Sequence, residues 1–213
     1  MLELGCGLGE ASVYLATQGA NCIASDCSPG MLEAVRKLAA INRVEVETAV
    51  VDAENIPYPD ATFDIVYAGN VLHHLPDRAR CLAEIRRVLK DGGQFCVWEP
   101  LRHNPVINVY RKLASQVRTE DEMPLHINVL KEFRRQFRKV DSDTCWLATL
   151  WIFLRFYLIE RVDPNQERYW KKIISEEARL RPAFNRLEKC DRLLKKIPGM
   201  KRFAWNVVAV CEK

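Results

Sequence analysis

The chain has 213 residues, 48% apolar and 28% charged, which suits a globular protein long enough to bury a core. Its eight cysteines are scattered, without a Cys-x-x-Cys pair or Cys/His ligand spacing; they read as reduced cytosolic thiols and exclude a disulfide scaffold and a metal centre. The net charge of +4 divides into −6 over residues 1–100 and +10 over 101–213, so the back half has either a task of its own or helical faces rich in Arg and Lys.

The first hundred residues alternate as a parallel α/β sheet requires. MLEL predicts a short strand that runs straight into Gly5, Gly7 and Gly9, unlike a signal peptide. A helix over 10–18 ends at Gly19, and a strand over 21–25 is closed by Asp26. Ser28 suits the N-cap and Pro29 the first position of the next helix, with Leu32, Val35, Leu38 and Ala39 on one face. Strands follow within 44–53 and over 62–69. A helix over 76–90 turns Leu82, Ile85, Val88 and Leu89 inward, and Asp91-Gly92-Gly93 then turns the chain into a strand over 94–100.

Beyond Pro100 the rhythm changes. Residues 101–126 read as irregular to helical, 128–137 as a helix and 139–147 as a strand. The run 145–162, CWLATLWIFLRFYLIERV, is dense in large apolar side chains, and 165–196 is helical and basic. Pro198-Gly199 turns into a last strand.

A strand, then Gly-x-Gly-x-Gly, then a helix, with an acidic residue closing the next strand, is the pattern of a nucleoside-cofactor site. The glycines let backbone approach the ligand, and Asp26, 21 residues after Gly5, can accept from both ribose hydroxyls. Glu10 would repel a pyrophosphate, which weakens a dinucleotide reading. It tolerates a phosphate-free ligand with a sulfonium, which describes S-adenosylmethionine.

The blocks ELGCGLG, SDCSPGMLEAVR, DAENIPYPDATFDIVYAGNVLHHL and EIRRVLKDGGQF, in this order, resemble a class I S-adenosylmethionine-dependent methyltransferase. The nearest likeness is to the small-molecule group with quinone- and lipid-methylating enzymes, and FAWNVVAVCEK resembles the family's last strand. The resemblance implies an α/β, Rossmann-like seven-stranded mostly parallel sheet, its last strand antiparallel and preceded by a helical insertion. It implies a single domain: a cofactor-binding half (1–100), an acceptor side with the insertion (101–200) and the last strand (201–213). Carried over by position, Glu3, Gly5, Cys6, Gly7 and Gly9 match the loop at the methionine end, and Asp26 the ribose carboxylate. Cys27 and Met31 match positions beside the adenine; Asp52 and Ala53 match the pair that fixes its ring; Asn70 and Val71 match the segment lining the sulfonium. Family members also carry helices ahead of the first strand that fold over the cofactor; with none in this sequence, the expectation is either a fragment of a longer chain or another segment that covers the site.

Methyl transfer from a sulfonium needs alignment and exclusion of water more than a base. Candidate bases are His73, His74 and Glu99, although LHHL equally suits packing at a helix start; His103 and His126 lie in the segment expected to cover the pocket. GNVLHHL lacks the Pro-Pro-aromatic run of amino-group methyltransferases acting on bases, and the aromatics of the back half do not interleave with its basic residues, so nucleic acid is not the expected partner. A small, lipophilic acceptor is. The run 145–162 is too short to span a bilayer; it could lie on an anionic membrane surface, roof an apolar pocket, or pack as an inserted helix. The expected location is cytoplasmic, with a peripheral membrane contact as one reading. The rivals are a cofactor-binding protein without catalysis and a nicotinamide-dependent dehydrogenase.

Overall fold

A computed structural model of the chain describes residues 1–114, 116 and 122–213. The strands are β1 (Leu2–Leu4), β2 (Ile23–Asp26), β3 (Glu47–Val50), β4 (Phe63–Gly69), β5 (Leu89–Pro100), β6 (Lys139–Cys145) and β7 (Asn206–Glu212). The α-helices are α1 (Glu10–Thr17), α2 (Pro29–Asn42), α3 (Arg78–Val88), α4 (Pro105–Leu113), α5 (Val129–Gln136), α6 (Trp151–Leu154), α7 (Tyr169–Ser175) and α8 (Glu177–Leu194).

The seven strands form one sheet in the order β3-β2-β1-β4-β5-β7-β6. β1 is short but central, buried at all three residues, and pairs in parallel with β2 (Leu4 opposite Ser25) and with β4 (Leu4 opposite Ala68). The strand order reverses between β1 and β4, and ligands of open α/β sheets bind outside the carboxyl ends of strands at such a point. β7 runs antiparallel: Lys213 N donates to the Gly93 carbonyl at 3.0 Å, and Leu101 N to the Trp205 carbonyl at 2.6 Å. The expected architecture, including the antiparallel last strand, is therefore the observed one.

The end of α3 and the start of β5 differ from the sequence expectation: Leu89 and Lys90, read as helical, open the strand. Phe63 pairs with Leu89 but Ile65 with Gln94, so Lys90–Gly93 form a bulge within β5 rather than a turn before it. Gly92 holds φ at 75°, and a Cβ on Gly93 would come within 2.8 Å of the Lys90 carbonyl oxygen. The bulge needs both glycines.

Two compact units divide the chain. The first comprises Met1–Glu99, Asn128–Ser142 and Val208–Lys213. In it, α1 and α2 bury Val13, Leu32, Val35 and Ala39 with Cys6 and Ala24, the face foreseen for α2. Elsewhere in this unit, α3 buries Leu82, Ile85 and Val88, and Phe95 of β5 packs on Phe133 of α5 and on Phe137. Arg87, in the last turn of α3, donates to the carbonyls of Ile56 and Tyr58 and to Glu84 and Asp60, tying down the loop before β4.

The second unit comprises Pro100–Ile127 and Asp143–Val207. Its core is Ile107, Leu150, Ile152, Phe153, Phe156, Tyr169 and Leu180, with Tyr169 edge-on to both Phe153 and Phe156. The apolar run is broken into a 3-10 turn, α6, and a π-helical stretch over Arg155–Ile159. Ile152, Phe153 and Phe156 point into the core, whereas Trp151, Tyr157, Leu158 and Ile159 stay exposed. Asp191 of α8, only 4% exposed, accepts from Leu147 N at 3.0 Å, from Ala148 N and from the Thr149 hydroxyl. Among the described residues no helix is long and apolar enough to cross a membrane.

Candidate cofactor site

The glycine turn leaves β1 at the point where the strand order reverses. Gly5, Gly7 and Gly9 all adopt left-handed backbone, with φ of 59°, 51° and 78°. A Cβ on Gly5 would lie 2.6 Å from Val71 Cγ2, and one on Gly9 equally close to Val35 Cγ2. Gly7 differs, because nothing lies within 4 Å of where its Cβ would be. Gly5 and Gly9 thus permit close packing, while Gly7 leaves room beside the backbone of the turn.

Asp26 ties this turn to the start of α2. One carboxylate oxygen accepts from Gly7 N at 3.0 Å and the other from Ser28 N at 2.9 Å. Each oxygen keeps lone-pair capacity for one more donor, as a ribose diol requires. Ser28 and Pro29 hold the helix-start positions expected of them, though the Ser28 hydroxyl makes no capping bond. Glu3 is buried and accepts from Ser12, through the backbone N–H at 2.9 Å and through the hydroxyl. Burial raises its carboxyl pKa, which the Ser12 hydrogen bonds oppose. Burial also pushes the Cys6 thiol up to about 12, so it is a neutral packing group.

Beyond Asp26, Cys27 and Met31 are exposed on the first residues of α2 and the loop before it. Val51 N donates to the Asp26 carbonyl, which brings the Asp52–Ala53 pair next to the end of β2. Asp52 is exposed, with one oxygen accepting from Glu54 N at 2.8 Å, and Ala53 is buried. Asn70, exposed with φ at 61°, and Val71, buried against Gly5, follow β4.

The three candidate bases are placed unequally. Glu99 has no exposed surface and His73 is 5% exposed; they bond to each other at 2.8 Å. Glu99 Oε1 also accepts from Val71 N and Leu72 N, both at 2.7 Å. His74 is half-buried, its ring 4.1 Å from that of His73. His103 and His126 belong to the second unit, with ring centroids 4.6 Å apart. Burial foremost, then the neighbouring His126, Arg102 and Arg202, lowers the His103 pKa.

The structure therefore brings together the glycine turn, Asp26, the Asp52 loop and the Asn70–Val71 segment at the carboxyl ends of β1, β2, β3 and β4. Sequence reasoning missed Ser12 and Leu72, which hold Glu3 and Glu99; Val35 was expected on the inner face of α2, but not its contact with Gly9. Of the two missed, only Ser12 carried a signal, as a hydroxyl within one turn of the helix start. The open side of Gly7, the exposed carboxylate of Asp52 and the exposed carboxylate of Glu10 in the first turn of α1, which would repel a phosphate, fit a nucleoside bearing an amino-acid end.

Comparison with known proteins agrees with this geometry. Residues 2–97 match the family described as methyltransferase domain. The matched residues, just under half of the chain, are similar to class I methyltransferase domains, a family whose methyl donor is S-adenosylmethionine. The chain is 35% identical over 101 residues to 27-O-demethylrifamycin SV methyltransferase of Amycolatopsis mediterranei, covering 46% of this chain and 37% of that protein. It is 40% identical over 100 residues to demethylmenaquinone methyltransferase of Clavibacter sepedonicus, covering 46% of this chain and 40% of the relative. The aligned part is thus less than half the length of these curated relatives. Among solved structures, the 4+2 cyclase SpnF superposes with a TM-score of 0.65 at 19% identity, covering 100% of this chain and 74% of that one, a likeness of fold alone.

Proposed function

We propose that the protein transfers a methyl group from S-adenosylmethionine to a small, lipophilic acceptor of the quinone, lipid or natural-product kind. The observation that carries this is the turn itself: half-buried Gly7 has open space where a side chain would be, while its N–H is held by Asp26. When bound, S-adenosylmethionine supplies a methyl carbon already activated by its sulfonium. The chain's own residues then bind and orient. Asp26 accepts from the ribose, the Asp52 carboxylate from the adenine amine, and the Asn70–Val71 segment borders the sulfonium end. Glu3 and Asp26 make the surroundings acidic, which favours a cationic ligand. Because displacement at an activated methyl needs alignment first, the burial of Glu99 and His73 is compatible with transfer that uses no general base.

The test is calorimetric titration of the purified chain with S-adenosylmethionine, S-adenosylhomocysteine and NAD. Binding of the two adenosyl ligands alone supports the proposal, and an acceptor screen with quinones and prenylated phenols follows. Tight NAD binding would revive the dehydrogenase reading; adenosyl binding with no turnover on any acceptor would favour a binding protein without catalysis.

Residues 101–200 are proposed to select the acceptor, and the exposed part of the apolar run to rest on an anionic membrane surface. What supports the membrane contact is the division of the run: once Ile152, Phe153 and Phe156 are in the core, Trp151, Tyr157, Leu158 and Ile159 remain exposed. Co-sedimentation with phosphatidylglycerol vesicles checks it. Trp151→Ser with Leu158→Ser should reduce binding, and failure of the unaltered protein to sediment would remove the membrane from the proposal. Phe153 is unsuitable for this test, since a serine there would empty the core.

A further inference from the structure

Glu99 ends its strand as a carboxylate with no exposed surface, and its bonded partners are three successive residues of one short segment. Val71 N and Leu72 N both reach Oε1 at 2.7 Å, and His73 Nδ1 reaches Oε2 at 2.8 Å. The same segment is pinned ahead of Val71, where Asn70 N donates to the Trp98 carbonyl at 2.8 Å, and closes its own 3-10 turn through His74 N donating to the Val71 carbonyl at 2.9 Å. A buried carboxylate is costly unless such donors surround it, so the segment cannot shift without stranding the charge. Asn70 meanwhile holds φ at 61°, a strained conformation that persists only where its surroundings over-determine it. What this arrangement fixes is Val71, whose Cγ2 sits 2.6 Å from where a Cβ on Gly5 would be.

We infer that Glu99 and His73 are positioning residues: together they lock the exit of β4 so that Val71 seats Gly5, and the glycine turn keeps the shape that receives the amino-acid end of the cofactor. The inference rests on the cofactor reading proposed above. It gives the two buried groups a task that needs no contact with the acceptor. It also weighs on one end of the ligand more than the other: Asp52 lies outside the latch, and Asp26 meets the turn only at Gly7, two residues beyond the seated Gly5.

The experiment compares S-adenosylhomocysteine with methylthioadenosine, which keeps the nucleoside and lacks the amino-acid end. Both are titrated calorimetrically into the unaltered protein, Glu99→Gln and Glu99→Leu, each well below its own Tm. Glu99→Leu should lose about tenfold or more in affinity for S-adenosylhomocysteine, since two buried N–H groups lose their acceptor. Glu99→Gln keeps one acceptor oxygen and should lose roughly threefold, with methylthioadenosine changing less than about twofold in both. A purely structural role would weaken both ligands in step, and that outcome overturns the inference, as does unchanged affinity for S-adenosylhomocysteine. If Glu99→Leu does not fold, the ratio of the two ligands in Glu99→Gln decides alone. Failure of the unaltered protein to bind either ligand would overturn the cofactor reading itself, and with it the latch.

Discussion

At the residue scale, three glycines of one motif carry different physical demands, and substitution separates them. Gly9→Ala adds both the left-handed penalty and a methyl pressed into Val35, so urea denaturation should show a loss of about 2–4 kcal/mol. Gly7→Ala meets only the backbone penalty, about 1–2 kcal/mol in stability, yet its methyl enters the space beside the turn and should weaken S-adenosylhomocysteine binding more than Gly9→Ala does. Asp26→Ala should weaken adenosyl binding by roughly 1–3 kcal/mol, from loss of charge-assisted bonds to ribose. Binding unchanged by that substitution in a calorimetric titration would sink the ribose assignment. The spacing of Asp26 and the glycines was legible in sequence because it is local: a turn and the end of the next strand. The environment of Glu99 was not, since its partners lie 26 to 28 residues earlier and meet it only because β4 and β5 pair.

At the element scale, the helices of the first unit followed their apolar periodicity, and Leu32, Val35 and Ala39 are buried on the face their spacing indicated. The start of β5 did not follow. Asp91-Gly92-Gly93 reads locally as a turn, and pairing with β4 on both sides of it converts it to a bulge. The run 145–162 shows the same limit more strongly. Its composition could not say which side chains face inward; a π-helical stretch shifts the register after Leu154 and leaves Leu158 and Ile159 outside. The start of this run is held by Asp191 from α8, a cap supplied more than forty residues later in the chain. Asp191→Ala strands two buried N–H groups and a hydroxyl and should cost about 2–4 kcal/mol in urea denaturation, with Asp191→Asn recovering part of it. A loss below about 0.5 kcal/mol would show that water replaces the carboxylate there.

At the scale of the whole molecule, burial of thiols makes a pH signature. Cys6, Cys81, Cys145 and Cys211 are each pushed from 9.0 to about 12, by burial first and then by nearby carboxylates or, for Cys211, by Cys96. A native pKa above the unfolded one means the native state holds the proton longer. The associated stability is complete below pH 9 and is lost as the pH rises from there toward 12. In reducing buffer, urea midpoints should therefore owe no slope to these thiols between pH 7 and 8 and decline above pH 9, and Cys81→Ala should flatten the decline. At pH 8 a thiol reagent should label the exposed Cys27 and Cys190 and spare the buried Cys6, Cys81 and Cys211.

The sequence by itself determined the alternation of strands and helices over the first hundred residues, the glycine turn, the acidic residue that clamps it and the class of cofactor these describe. All of these depend on neighbours in the chain: periodicity, turn stereochemistry and the charge beside a helix start. The tertiary structure alone decided which polar groups are withdrawn from solvent and which contacts the inward faces make. It buried Glu99 and His73 beneath the β4 exit, set Val71 against Gly5 and Val35 against Gly9, and divided one apolar run between a core and an exposed ridge. Burial and partnership are made by residues far apart in sequence, so no local pattern encodes them, and the chemistry of a carboxylate or an imidazole depends on both.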